Sequence, residues 1–135
     1  MKRGLTVVFW IDAIIAVAFG IYSWMCPLET FGTILEIPEE HANEFLSLFA
    51  VLSLFYVLIG MVCIICARSN FQVHFWIGLV MLIRHLIEGL LKWKDIGEDW
   101  LTGNPYPDLV IHTLFTVAYA ITLYFAYKKR VLWKP

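Results

Sequence analysis

Four runs of about 20 apolar residues, at 5–25, 45–67, 71–91 and 109–127, occupy most of the 135-residue chain. A helix rises 1.5 Å per residue, so each run is long enough to cross a hydrocarbon core of about 30 Å. In such a core every backbone N–H and C=O must find its partner within the protein, which leaves helices or a closed barrel. The runs lack the polar/apolar alternation of barrel strands. The expectation is therefore an all-α protein, a single integral-membrane domain folded as a four-transmembrane-helix bundle. Composition agrees: 61% of residues are hydrophobic and 16% charged, whereas soluble domains are about half apolar and a quarter charged. A formal net charge of −1, with no basic stripe interleaved with aromatics, argues against nucleic-acid partners. No linker-like or low-complexity stretch and no internal repeat divides the chain.

Basic residues set the expected orientation. Lys2, Arg3, Arg68, Lys128, Lys129, Arg130 and Lys134 fall on one side of the four runs and only Lys92 and Lys94 on the other. The connections on that second side are acidic, with Glu29, Glu36, Glu39, Glu40, Glu44, Asp95, Glu98, Asp99 and Asp108. By the positive-inside rule both termini are cytoplasmic, in a multi-pass protein of the cell membrane, the inner membrane if the source is bacterial. Trp24, Trp93, Trp100, Tyr106 and Trp133 fall near run ends, at the level expected for headgroups. The first run follows "MKRG" but exceeds a signal peptide's apolar region, and "YSWMC" lacks the small residues of a cleavage site, so it reads as a retained helix. The outer connection "CPLETFGTILEIPEEHANEF" is apolar enough to lie in the interface, and Pro38 before two glutamates suits a helix start. In the other outer connection, "GNPYP" marks a turn and Asp108 is placed to cap the fourth helix.

The segment "MLIRHLIEGLLKW" sets ionisable side chains in an otherwise apolar run. Counting the rise from the inner ends places Arg84 roughly 20 Å and Glu88 roughly 25 Å above the inner boundary, with Asp12 lower, at roughly 10 Å. His112 falls near the height of Glu88, so His85, Glu88 and His112 share a level in the outer half, with Asp108 and Glu44 just above. Arg84 and Glu88 are i,i+4, His85 and Glu88 are i,i+3, and Asp108 and His112 are i,i+4, so each set lies on one helix face. A charge at the membrane centre costs about 2.5–3.5 kcal/mol. These side chains should turn inward and pair. The Arg84–Glu88 pair and the two histidines then either lock helix register, with Asp12 pairing with Arg84 from below or bonding a neighbouring hydroxyl, or form a site, with Glu88, His85 and His112 as acid/base groups and Arg84, Asp108, Glu44 and Asp12 as ligand-binding groups.

Metal ligation is the weaker alternative. His85, Glu88, His112 and Asp108 offer nitrogen and oxygen donors, but His-x-x-Glu reverses the Glu-x-x-His order of carboxylate-bridged bundles, and carboxylates for a second ion are lacking. No metal ligand and no cofactor is assigned from the sequence. Cys63 and Cys66 form a C-x-x-C inside the second run near its cytoplasmic end, with Cys26 on the other side, which favours packing over redox chemistry. Gly20, Gly60, Gly78 and Gly89 are isolated and expected to allow close helix contact.

The first run with its proline-led outer connection, "SWMCPLETFGTI", and the following "FLSLFAVLSLFYVLIGMVCIICARSNFQVHFWIGLVMLI", with Gly60, Ala67 and Arg68 at the helix and turn, resemble the small four-helix bacterial membrane proteins of the DoxX-like superfamily. The resemblance covers roughly the first two thirds of the chain and rests mostly on hydropathy. It implies a four-helix inner-membrane protein, with some relatives tied to quinone or sulfur redox complexes. It transfers no catalytic residue.

The expected function is binding, and transformation by acid/base chemistry, of a small lipophilic molecule in a polar pocket. That pocket is expected in the outer half, between the third and fourth spans and the start of the second. Two alternatives stand beside it. One is an accessory subunit, homo-oligomeric or bound to a membrane partner, whose ion pairs are structural. The other is a proton or ion pathway in an oligomer, running from Asp12 past Arg84 and Glu88 to the outer acids.

Overall fold

The fold was obtained as a computed structural model and is described for residues 2–26, 42–96 and 106–132. Four helices make it up: α1 (Lys2–Met25), α2 (Ala42–Arg68), α3 (Phe71–Asp95) and α4 (Tyr106–Leu132). Each contains a stretch long and apolar enough to cross a membrane. The expectations for the two outer connections, for the helix start at Pro38 and for Trp100 and Trp133 fall outside the described residues.

Local chemistry explains where the helices start and stop. The turn from α2 to α3 takes only two residues. Ser69 N–H donates to Cys66 O at 3.0 Å, and the Asn70 side chain caps α3 by accepting from Val73 N–H at 3.0 Å. Such a cap satisfies one of the donors that a helix start leaves open. At α4 the helix begins at Tyr106, before Asp108, so Asp108 sits inside the first turn and not at the cap. Pro107 explains the difference, because a proline is tolerated within a first turn whose N–H groups have no intrahelical acceptor. Asp108 still lies at the positive end of the dipole. Inside the helices, hydroxyls turn back on their own backbone: Ser53 donates to Phe49 O at 2.7 Å, Thr113 to Leu109 O at 2.7 Å and Thr116 to His112 O at 2.8 Å. That arrangement satisfies each hydroxyl within its own helix.

The helices alternate in direction. Thr6 on α1 meets His74 on α3 at 3.2 Å, the Arg68 guanidinium at the end of α2 lies 5.6 Å over the Trp10 ring, and a Cβ on Gly4 would stand 3.5 Å from Thr122 on α4. The start of α1, the end of α2, the start of α3 and the end of α4 therefore share one end of the bundle. Packing is unequal: α1 pairs chiefly with α2 and α3 with α4, while α1 joins the two pairs along a lighter seam.

Glycine decides how close α1 and α2 come. A Cβ on Gly20 would stand 2.7 Å from Ser53 O, and one on Gly60 would run into Val17 Cγ2 and stand 3.0 Å from Ala13 O. Small residues at helix contacts serve this purpose in membranes. Gly89 does not share the role, since its Cβ would meet only His112 Cβ, at 3.6 Å.

The buried positions repeat at helical spacing, as in Leu5, Phe9, Ala13 and Ala16 on α1 and Phe115, Tyr119, Leu123 and Ala126 on α4. The opposite faces carry large exposed apolar residues, among them Ile14, Leu54, Ile65, Leu90, Leu114 and Tyr124. A soluble monomer rarely exposes so much contiguous apolar surface.

Candidate functional site

Four side chains from the other three helices converge on Asp12. Located midway along α1, it is 2% exposed. Its Oδ2 accepts from the Tyr119 hydroxyl of α4 at 2.8 Å and from His85 Nε2 of α3 at 3.0 Å, and the Cys63 thiol of α2 points to it from 4.0 Å. Each of the other three helices thus supplies a partner to this one α1 carboxylate. Its other oxygen, Oδ1, lies 3.9 Å from Arg84 NH1, an ion-pair contact too long for a hydrogen bond.

From His85 the network continues toward the end of α3 and the start of α4. The His85 ring stacks on Phe115 at 4.7 Å between centroids and 14° between planes, and its Nδ1 faces His112 Nδ1 at 3.0 Å. His112 Nδ1 also lies 3.1 Å from Glu88 Oε2, outside hydrogen-bonding angles, so that this buried oxygen has no hydrogen-bond partner. Glu88 Oε1 accepts from Arg84 Nε at 3.0 Å. The other buried orphan in this network is Arg84 NH1. Farther along, Lys92 pairs with Asp108 at 3.7 Å. One donor atom each from His85, Glu88 and His112 lies within 4.8 Å of the others, a set that could hold a metal ion.

A cavity of about 250 Å³ opens beside this network. Its polar wall is Asp12, Arg84, His85, His112, Lys92 and Asp108, and its apolar wall includes Ile15, Phe19, Phe49, Leu52, Ile111 and Phe115. Tyr56 also lines it, with the Arg84 guanidinium 5.9 Å from its ring centroid. An apolar cleft with a few convergent polar groups is the usual build of a small-molecule site.

Arg84, His85, Glu88 and His112 come together in space, as their spacing and common level require. Asp12 reaches Arg84 and a hydroxyl, that of Tyr119, as expected of it, and it also meets His85 directly although its rise count set it lower, because such a count ignores both helix tilt, about 20° on average in membranes, and the reach of side chains. The cavity draws on α1 and on the body of α2 as well as on α3 and α4, so it has more walls than the sequence suggested. Asp108 lines it, whereas Glu44, exposed in the first turn of α2, is not among the lining residues.

Sequence reasoning passed over Tyr119, Tyr56, Cys63 and Lys92. Two of them carried a readable signal. Tyr119 follows His112 by seven positions, two turns along the same face, and Lys92 extends Arg84 and Glu88 by another i,i+4 step. Cys63 was read as packing alone, yet it touches the central carboxylate. The sequence reading also omitted His74, which is buried apart from this group, held by Asn70 O at 2.8 Å and by Thr6.

Compared with known proteins, the chain matches no family model, no curated protein and no solved structure.

Proposed function

We propose that this is an integral membrane protein, with both termini cytoplasmic, that binds a small lipophilic molecule in the cavity between its helices. One observation carries the reading: Arg84 lines an apolar-walled cavity, and its NH1, shielded within the protein, has no hydrogen-bond partner, so that a small turn of the guanidinium toward the cavity would bring it to an acceptor there. An unmade hydrogen bond on a buried charged group is costly, and an acceptor oxygen on a bound molecule would complete it. Lys92 lies on the same wall, where Asp108 already pairs with it at 3.7 Å. The favoured molecule is therefore a lipophilic body ending in an acceptor oxygen, such as a carbonyl.

The polar wall also suits transformation of that molecule. With His85 Nε2–H held by Asp12, its Nδ1 is left to exchange a proton with His112, and Glu88 lies next in line. Proton transfer through positioned side chains needs hydrogen-bond reach of this kind. The hydropathy resemblance to DoxX-like proteins accords with a four-helix protein of this type and adds no residue to the site.

Organic extraction of the protein purified from its native membrane, followed by mass spectrometry, tests the proposal. Expected is about one lipophilic molecule per chain in the wild type, reduced at least tenfold in Arg84→Gln with the melting transition retained. A wild type that releases nothing beyond bulk lipid, or a variant that releases as much, would overturn it.

A further inference from the structure

We propose that His85 Nδ1, His112 Nδ1 and Glu88 Oε2 form a mononuclear site for a divalent first-row transition ion, with zinc(II) the best suited. This goes beyond the ligand reading and stands without it.

The tautomer of His85 comes first. An ionised carboxylate only accepts, so the Asp12 contact at 3.0 Å places the His85 proton on Nε2 and the lone pair on Nδ1. That lone pair faces His112. A histidine whose other nitrogen donates to a carboxylate is the usual arrangement of a metal ligand, because the hydrogen bond fixes the tautomer and raises the basicity of the free nitrogen. Tyr119 holds the same Asp12 oxygen at 2.8 Å, so the supporting carboxylate is itself anchored.

Distance comes second. The two Nδ1 atoms are 3.0 Å apart. An ion at about 2.0–2.1 Å from each would see them at roughly a right angle, and a shift of a few tenths of an ångström opens this to the tetrahedral value. Glu88 Oε2, 3.1 Å from His112 Nδ1 and lacking a hydrogen bond, provides the third donor, while Arg84 Nε fixes the carboxylate through Oε1.

Charge comes third. Among the described residues, Arg84 alone of the lysines and arginines pairs with Asp12 and Glu88. One cation beside two carboxylates leaves a negative charge in a low-dielectric interior, where it is expensive. A dication there turns the sum from −1 to +1, which a hydroxide or an anionic ligand oxygen at its open position would bring to zero. The carboxylates that a two-ion centre would require are not needed for one ion, and His-x-x-Glu on α3 sets its two ligands on one face while α4 supplies the third. Two histidines and a glutamate with an open position suit zinc. Because His85 and His112 line the cavity, an ion between them borders it and could polarise a carbonyl or phosphoryl oxygen placed there.

The test uses the whole protein in detergent, stripped with a chelator and titrated with Co²⁺ alone. Expected are one Co²⁺ per chain, visible absorption of a four- or five-coordinate ion, and displacement by Zn²⁺. Glu88→Gln and His112→Gln should lose the spectrum, while His74→Gln, altered at a buried histidine outside the cluster, should keep it. Asp12→Asn should weaken affinity by about 10–100-fold without abolishing the site. No saturable uptake by the wild type, or equal uptake in Glu88→Gln and His112→Gln, overturns the proposal. If a variant loses its melting transition, the wild-type spectrum decides, and weak bands of a six-coordinate ion count against the site. Ion uptake without any co-purified lipophilic molecule upholds the ion and removes the ligand reading, whereas the reverse result removes the ion alone.

Discussion

His85 Nε2 lies 3.0 Å from Asp12 Oδ2, across 73 positions of sequence, and each residue is only 2% exposed. The contact ties α3 to α1 along the lighter seam between the two helix pairs, so it contributes to the bundle as well as to the site. Asp12→Ala would leave the donors of His85 and Tyr119 facing a void and is expected to destabilise the protein by about 3–5 kcal/mol, the cost of breaking a buried pair. Tyr119→Phe removes one hydrogen bond to the carboxylate at nearly constant shape, with an expected loss of about 1.5–3 kcal/mol. Equilibrium unfolding in mixed detergent checks both values and their order.

The glycines separate a packing role from an incidental one. Gly60→Ala would push into Val17 and the Ala13 carbonyl, and overpacking of this kind costs about 1–3 kcal/mol. Gly89→Ala meets only an ordinary contact with His112 and gains up to about 1 kcal/mol of helix propensity. Opposite shifts in melting temperature are expected. Equal shifts would contradict the close α1–α2 packing.

Cysteine labelling reports on burial at the same seam. Cys63 and Cys66 are free and buried, whereas Cys26 is partly exposed at the end of α1. A membrane-permeant maleimide should add one label to the folded protein and three after unfolding in SDS, read by intact mass. Rapid labelling of Cys63 in the folded state would mean that the Asp12 environment is open.

Orientation has its own readout. Reporter fusions at the amino and carboxyl ends are expected to give cytoplasmic signals, because the ends of the described chain that gather with Arg68 share one end of the bundle and carry the excess of basic residues. An external signal from either fusion would refute that placement.

Much of the architecture was readable from hydropathy. A run of some 20 apolar residues has few alternatives in a membrane, and the four runs lie within the four helices. The grouping of Arg84, His85, Glu88 and His112 was readable too, since i,i+3 and i,i+4 spacings fix faces and the cost of exposing charge to lipid turns those faces inward. The depth of Asp12 and the part played by α1 were harder to see, because they depend on tilt and on which helices pair closely. That pairing depends on Gly20 and Gly60, whose fit against Ser53 and Val17 becomes visible only once the helices are docked. Tyr119 escaped notice for a different reason: a tyrosine within an apolar run looks like packing until a buried carboxylate is found opposite its hydroxyl.

An experimental structure determined in a lipid environment is the most direct test of the central claim that the buried charges serve a binding cavity. The account predicts density for a small elongated molecule between Phe19, Leu52 and Ile111, its polar end within hydrogen-bond distance of Arg84. A cavity closed by repacked side chains, with Arg84 NH1 satisfied by the protein itself, would contradict it and leave the network a device for fixing helix register.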